Sequence, residues 1–312
     1  EKGENVHIGS LNPLTFEKNF ELEPTNPLRK FKGRVVFVGN NVVDQNGEAA
    51  LFQDLGSSPA TMEASRFADF YGAIEGNSTD TADAEQAYVQ AEMKGTPTYV
   101  RLPRYQWPAW WQRRFPHIKD PVCRLTRALY GHPDAGTFWE EHCDRHVRSI
   151  GFEPMGPEWP SCYWHGDLKL MLIIYVDDFK MAGPKKNLKK GWDLLRKGLS
   201  IDKETPIDAT GTTYLGCRTI RKPMTLPDGT EVVSIVYDMK DFLVSCTERY
   251  ADLAGPTFKF KKVKTPFITD EVSDVEARRP LSTGPVVECP FCRHTFPARV
   301  HDNIKALDEH KK

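Results

Sequence analysis

No apolar run in this sequence is long enough to cross a membrane. A spanning helix needs about 20 apolar residues, and the apolar stretch from Leu170 to Tyr175 is far shorter. An excess of one charge is lacking too, since the formal net charge is −1 at pH 7. Overall charge therefore does not indicate a nucleic-acid-binding protein, and binding of that kind has to use local basic patches.

Closely spaced cysteines are also scarce. The chain has seven cysteines, and only Cys289 and Cys292 are close together. With no signal peptide, this odd and scattered set predicts a reducing intracellular location, not secretion. Residues 1–4 show neither an initiator methionine nor an apolar core. They indicate a fragment of a longer product.

The composition permits a well-packed core. The 312 residues suffice for one large domain or two smaller ones, and 39% of them are hydrophobic and 11% aromatic. Most of the chain should therefore fold. Residues 1–28 are polar and punctuated by Pro and Asn, which predicts a loosely packed lead-in. Residues 269–285 are rich in charges, Ser, Pro and Gly, which predicts a linker.

Local patterns predict further elements. Strands are expected at 32–38, 83–89, 98–102, 214–220 and 232–236. Helices are expected after a cap at Ser58, and at 137–150, 187–199 and 238–254.

The segment from Leu170 to Lys180 is the most informative. Its apolar run leads into the adjacent carboxylates Asp177 and Asp178 and resumes at Phe179, as in a buried hairpin with the aspartates at its turn. Two like charges repel each other there unless a cation is bound. Paired carboxylates of this kind serve phosphoryl transfer by two metal ions. The alternative is a solvated turn whose aspartates bond their own backbone.

Several blocks resemble one family. Residues 175–178 (YVDD) resemble the palm signature of copia-type retrotransposon reverse transcriptases. Further blocks in that family's order cover roughly residues 29–268. They are 83–89 (like "DVKTAFL"), 122–131 (like "VCKLKKSLYG"), 149–152 (like "SLGF"), 214–216 (like "FLG"), 237–250 (like the thumb helix) and 263–266 (like "VSTP").

The resemblance implies a fold class and an activity. The fold would be α/β (α+β), with a right-hand polymerase palm, fingers and a partial thumb in residues 29–268. A small Cys/His-rich appendage would follow in residues 286–312. The activity would be RNA-directed DNA synthesis from deoxynucleoside triphosphates on an RNA/DNA primer-template. Other polyprotein segments would be partners, in cytoplasmic particles or in the nucleus, and no membrane would be involved.

The resemblance also assigns catalytic residues. Asp83, Asp177 and Asp178 match the three family aspartates that hold Mg²⁺ or Mn²⁺, whose preferred ligands are oxygens. A capping or turn role is the alternative for Asp83. Tyr88 matches the aromatic that excludes a 2′-hydroxyl, with a place in the strand core as its alternative.

Three further positions relate to the incoming nucleotide. Lys32 and Arg34 match family cations that meet the triphosphate, with a solvated edge strand as the alternative. Asp134 replaces the glutamine expected beside the nucleotide. A carboxylate near a triphosphate is repulsive, which predicts less efficient polymerisation.

Two basic patches would face nucleic acid, or else form solvated surfaces. The first follows the aspartates and the second lies near the end of the family match. Their members are Lys180, Lys185, Lys186, Lys189, Lys190, Arg196 and Lys197, then Lys259, Lys261, Lys262 and Lys264.

The Cys-x-x-Cys pair predicts a Zn²⁺ site. Cys289 and Cys292 with His301 and His310 would complete a tetrahedron. The alternatives are reduced surface cysteines, or a C2H2-like finger whose last histidine lies beyond Lys312. Two rival functions stay open: a catalytically weak relic that binds nucleic acid, and a zinc-dependent interaction module on an unrelated α/β domain.

Overall fold

The structure is a computed structural model. It describes residues 4–18, 25–27, 29–52, 58–260, 287–288 and 295–296. The described residues belong to two compact units, Glu1–Ser245 and Cys246–Lys312.

Within the described residues, the strands are β1 (His7–Lys18), β2 (Lys30–Phe37), β3 (Asn77–Asp83), β4 (Thr98–Arg101), β5 (Val122–Arg124), β6 (Glu153–Pro154), β7 (Cys162–His165), β8 (Leu170–Tyr175), β9 (Asp178–Pro184), β10 (Thr205–Pro206), β11 (Thr212–Tyr214), β12 (Cys217–Thr225), β13 (Glu231–Asp238), β14 (Val287–Glu288) and β15 (Thr295–Phe296). The helices are α1 (Met62–Ala73), α2 (Ala87–Gln90), α3 (Ala109–Arg114), α4 (Ala135–Ser149), α5 (Lys185–Leu195) and α6 (Lys240–Ala254).

The central sheet of the first unit has the order β10-β3-β9-β8-β7-β6. Residues of α1 pack against Met171 and Ile173 on one face. Residues of α4 and α5 pack against Leu170, Leu172 and Ile174 on the other. Because β8 is buried on both faces, it forms a continuous apolar run instead of an alternating one. The predicted hairpin of β8 and β9 is confirmed.

A second sheet has the order β2-β1-β4-β5. Its strand β1 pairs antiparallel with β2 and parallel with β4. The expectation of a loosely packed lead-in is therefore wrong for His7–Lys18. Most of the outer half of β1 is exposed, so backbone pairing forms the strand without an apolar period in the sequence.

The fold class predicted as α/β (α+β) is α+β. The strand pairs of the described residues are antiparallel, apart from β1 with β4. A third sheet, β11-β12-β13, completes the sheets of the first unit. The predicted domain boundaries stay predictions.

Most expected elements differ by a few residues at their ends, and three differ by more. The expected strand 83–89 is wrong because β3 ends at Asp83 and the chain then forms α2. Thr61, not Ser58, caps α1, and its hydroxyl accepts a hydrogen bond from the Ala64 amide. The expected strand 214–220 is broken at Leu215 and Gly216, which both have positive φ and turn the chain from β11 into β12.

In the second unit, β14 and β15 pair antiparallel. The rings of Tyr250, Phe258 and Phe260 contact one another, with centroids 4.9–6.1 Å apart. Among the helices that the structure describes in either unit, none combines the length and apolar character needed to span a bilayer.

A buried ion pair links α1 to the central sheet. Lys180 of β9 donates to both carboxylate oxygens of Asp69, at 3.0 and 2.9 Å, and to the Ser65 hydroxyl at 2.8 Å. The Tyr237 hydroxyl donates to the same carboxylate at 2.9 Å. Both charged side chains are almost fully buried. Lys180 was expected in an exposed basic patch, and that prediction is wrong, because Asp69 compensates its charge inside the protein.

Replacing Asp69 with Ala should strongly destabilise the protein. The change leaves the Lys180 ammonium buried without its counter-charge, which costs about 3–5 kcal/mol in comparable cases. The free energy of unfolding in urea measures the loss. The matched control is Asp193→Ala, which removes the exposed pair between Lys189 and Asp193 and should cost less than about 1 kcal/mol. Equal losses in the two variants would contradict a stabilising buried pair.

Candidate active site

Strand pairing brings three aspartates to one end of the central sheet. Asp83, the last residue of β3, lies opposite Asp178, the first residue of β9. Residues directly opposite on antiparallel strands have Cα atoms about 4.5–5.5 Å apart. Asp178 also lies opposite Tyr175 of β8, which leaves Val176 and Asp177 as the hairpin turn. Residues nearly 100 positions apart in the sequence therefore meet at one edge.

The hairpin turn is held from two sides. Val176 has a φ of 56°, a conformation that is rare and strained for a β-branched residue. The indole Nε1 of Trp139, in α4, donates to the Val176 carbonyl at 2.7 Å. The Ala84 amide donates to the Asp177 carbonyl at 2.7 Å. These two bonds fix the turn relative to α4 and to the end of β3.

The carboxylates interact unfavourably as charges. The pKa of Asp178 is raised from its ordinary value of 3.8 to about 7. Burial is the main cause, followed by the negative charges of Asp83 and Asp177 and by a hydrogen bond to Asp83. A proton on Asp178 therefore relieves part of the repulsion.

The donor chemistry fits a divalent cation. Mg²⁺ and Mn²⁺ prefer carboxylate oxygens, and crowded negative charge is relieved by a cation as well as by a proton. Among the residues that the structure describes, no group of three or more His, Cys, Asp or Glu side chains is already arranged around a metal position. Binding of a cation to the three aspartates stays a prediction.

A cleft of about 470 Å³ opens beside the aspartates. Asp83 and Asp177 line one part of it, and Lys32 and Arg34 of β2 line another. The cleft is large enough for a small polar ligand. The cleft has carboxylates on one part of its wall and cations on another. This arrangement suits an anionic ligand that is itself bound to a metal ion.

Two tyrosines stand next to this cleft. Tyr130 lines it, and the guanidinium carbon of Arg34 lies 5.3 Å from the centre of the Tyr130 ring. Tyr88, in α2, packs against Tyr130 with ring centroids 4.6 Å apart. Burial, followed by the charge of Asp177, raises the pKa of both phenols. Tyr88 thus supports the cleft wall from behind, one ring away from the cavity.

Asp134 is placed apart from the other predicted nucleotide contacts. It immediately precedes α4 and does not line the cleft. Burial raises the pKa of its carboxyl, and the nearby His7 opposes that shift. The predicted repulsion between Asp134 and a triphosphate stays a prediction.

The four lysines that were expected to contact nucleic acid lie on α5. Lys185, Lys186, Lys189 and Lys190 are exposed, and their helix follows Pro184, the last residue of β9. Pro184 lies six positions along β9 from Asp178, about 20 Å at 3.3 Å per residue. None of the four lysines lines the cleft, and their contact with nucleic acid stays a prediction. Arg196, also in that patch, pairs with Glu204 at 2.6 Å.

Two acidic residues at the cleft were missed by the sequence interpretation. Glu85 and Asp202 both line it. Asp202 donates its backbone amide to the Asp83 carbonyl at 2.9 Å. Burial and then the neighbouring Glu85 raise the pKa of the Asp202 carboxyl. Glu85 lies within residues 83–89, which resemble the family's strand, so the sequence could have indicated it. No sequence pattern around Asp202 indicates a site.

The predicted zinc ligands lie outside the described residues. Strands β14 and β15 flank Cys289 and Cys292 in the sequence, and His301 and His310 follow β15. The second basic patch also falls largely outside the described residues, with Lys259 as its described member.

No family model matches the chain. Its fold is similar to solved telomerase structures. Apo telomerase from Candida tropicalis, truncated from the C-terminal domain, is 12% identical with a TM-score of 0.39, over 76% of this chain and 57% of that one. Telomerase from Candida albicans, in complex with a fragment of telomeric RNA, is 11% identical with a TM-score of 0.33, over 69% and 44%.

The chain thus spans about half the length of these telomerases. At these TM-scores the likeness carries no argument about function, and the polymerase interpretation rests on the carboxylates and the cleft.

Without divalent cations, the contribution of Asp178 to stability should fall as the pH rises from 3.8 to about 7. In this interval folded Asp178 keeps a proton that the unfolded chain has lost, so unfolding releases a proton and higher pH favours unfolding. Asp178→Asn should remove this part of the slope. Urea unfolding in EDTA at several pH values measures it, with the exposed Asp167→Asn as control. An unchanged slope in Asp178→Asn would contradict the raised pKa.

Proposed function

We propose that this chain is the RNA-directed DNA polymerase of a copia-type retrotransposon. One observation carries the proposal: Asp83, Asp177 and Asp178 converge at the end of two paired strands beside a cleft that also contains Lys32 and Arg34. The central sheet corresponds to the palm, the second sheet to the fingers, and α6 to the start of the thumb.

The carboxylates have the role of cation ligands. Two Mg²⁺ or Mn²⁺ ions supply Lewis-acid stabilisation of the attacking and leaving oxygens in nucleotidyl transfer. Asp83 and Asp177 line the cleft, and Asp178 joins them after it gives up the proton that it shares with Asp83. The bonds from Trp139 and Ala84 keep the turn in place while the side chains rotate.

The cations and aromatic rings of the cleft have the role of substrate contacts. Lys32 and Arg34 neutralise the triphosphate of a deoxynucleotide. Tyr88, packed behind Tyr130, restricts the space for a 2′-hydroxyl by setting the position of the Tyr130 ring. A primer-template and other segments of the same polyprotein complete the proposed set of partners, in cytoplasmic particles or in the nucleus.

A zinc site in the second unit is a separate part of the proposal. Cys289 and Cys292 with His301 and His310 provide a suitable set of N and S ligands. The paired strands β14 and β15 flank the two cysteines in the sequence.

A catalytically weak relic that binds nucleic acid is the second candidate. It is favoured by the carboxylates themselves, because Asp178 bonds to Asp83 and the described aspartates are not yet arranged around a metal position. Strand extension separates the two candidates.

Primer extension on a homopolymer RNA template with Mg²⁺ or Mn²⁺ should be measurable and should depend on Asp177. Asp177→Asn removes a cation ligand, and the rate should fall at least about a hundredfold, since metal stabilisation is worth several kcal/mol. Asp167→Asn, an exposed aspartate in the turn between β7 and β8, is the matched control and should keep the parent rate. Equal extension by parent and Asp177→Asn would reject the polymerase.

A further inference from the structure

The connection between β4 and β5 has an unusual composition. We name residues 102–121 the aromatic insertion. It carries three of the seven tryptophans of the chain. Its aromatic residues are Tyr105, Trp107, Trp110, Trp111 and Phe115, and its cations are Arg104, Arg113, Arg114 and Lys119. Its one acidic residue, Asp120, pairs with Arg101 of β4 at 2.9 Å. The insertion is therefore strongly basic, in a chain whose net charge is −1.

Several of these rings face solvent. Tyr105 is 76% exposed, Trp110 48% and Phe115 38%. Large exposed aromatics that cluster in one segment mark an interaction surface more often than scattered single ones do. Nothing in the polymerase chemistry proposed for the cleft requires them.

Contacts with neighbouring residues fix the positions of the rings in this segment. The Trp107 indole donates to the Leu102 carbonyl at 2.8 Å. The Trp111 ring lies 6.5 Å from the Trp107 ring and 6.1 Å from the Trp110 ring, centroid to centroid. A pocket of about 230 Å³ opens between Trp107, Trp111 and Phe115. Flat, fixed rings around a pocket can accept another flat ring at little cost in side-chain entropy.

The arginines are interleaved with these rings. The guanidinium carbon of Arg104 is 5.9 Å from the centre of the Trp107 ring, and that of Arg114 is 5.6 Å from the Phe115 ring. Arg113 and Lys119 are exposed nearby in the sequence. A ligand that lies on the rings would therefore meet positive charge at the same time.

The aromatic insertion begins next to the strands of the cleft. Arg101, the last residue of β4, lies opposite Ser10 of the parallel strand β1. Beyond Ser10, β1 runs on in the same direction and pairs with the part of β2 that holds Lys32 and Arg34. The chain beyond Arg101 leaves the sheet toward this same end. A strand bound to the insertion can thus continue toward the cleft.

We propose that the aromatic insertion is a binding surface for single-stranded nucleic acid. Bases stack on the exposed rings of Tyr105 and Trp110, and Arg104, Arg113 and Arg114 neutralise the phosphates between them. Rings interleaved with cations are the combination that single strands require. A second copy of this chain is disfavoured as the occupant, because two strongly basic segments repel each other.

We identify the bound single-stranded nucleic acid as the template, and this identification rests on the proposed polymerase function. The binding itself does not, because it involves none of the three aspartates. Equilibrium binding in EDTA, without nucleotides, therefore tests the surface separately from the chemistry. Asp177→Asn should bind as tightly as the parent even though its extension activity is lost.

The test uses the full chain and a 20-nucleotide oligo(U) RNA with a 5′-fluorescein, followed by fluorescence anisotropy. The double variant Tyr105→Ala/Trp110→Ala should raise the Kd at least about tenfold, because each stacked base contributes substantially to binding. Phe70→Ala, which removes an exposed ring of α1 (64% exposed), is the matched control and should leave the Kd unchanged. Thermal unfolding verifies that each variant is folded.

The salt dependence tests the arginines. For Arg113→Gln/Arg114→Gln, the slope of log K against log salt should become shallower by about 1.4, since each of the two phosphate contacts on a single strand contributes about 0.7. Arg145→Gln/Lys169→Gln removes two exposed cations elsewhere and should leave the slope unchanged.

Three results would overturn the proposal. The first is a parent protein that binds the RNA more weakly than about 100 μM, the weak limit of non-specific binding at physiological salt. The second is equal RNA binding by the parent and all the folded variants. The third is binding to vesicles of phosphatidylserine and phosphatidylcholine that Tyr105→Ala/Trp110→Ala abolishes while RNA binding persists, which would make the surface a lipid contact.

Discussion

The meeting of three negative charges at one end of the central sheet is the constraint on which the site depends. Pairing of β3 with β9 places Asp83 against Asp178, and the hairpin adds Asp177. Burial, followed by the charges of Asp83 and Asp177, raises the pKa of Asp178, so the folded protein is under electrostatic strain that a proton or a cation relieves. We propose that this strain gives the site an affinity for divalent cations.

The rest of the first unit keeps the carboxylates from moving apart. Strand β8 is buried between two layers of helices, and its hairpin cannot shift by one residue without turning every side chain to the other face. Trp139 holds the strained carbonyl of Val176 at 2.7 Å. Two residues beyond Asp178, Lys180 is bound to Asp69 inside the protein. Packing, backbone bonding and a buried ion pair thus oppose the same repulsion.

The sequence was informative where a pattern is local. The hairpin follows from an apolar run broken by two aspartates, and α4, α5 and α6 follow from their periodicity. Strand β1 could not be predicted, because its exposed outer half has no apolar period. The burial of Lys180 depends on Asp69, 111 positions away, and the place of Asp202 at the cleft depends on backbone pairing with Asp83. Contacts between residues this far apart produce no pattern in the sequence around either residue.

Binding of Mn²⁺ to the aspartates tests the central claim most directly, because it needs neither template nor nucleotide. Electron paramagnetic resonance of free Mn²⁺ during titration with protein gives the affinity. The parent should bind Mn²⁺, and Asp83→Asn and Asp177→Asn should each weaken binding by at least about tenfold, whereas Asp167→Asn should not. Equal Mn²⁺ binding by all four proteins would contradict a shared cation site at the end of β3 and β9.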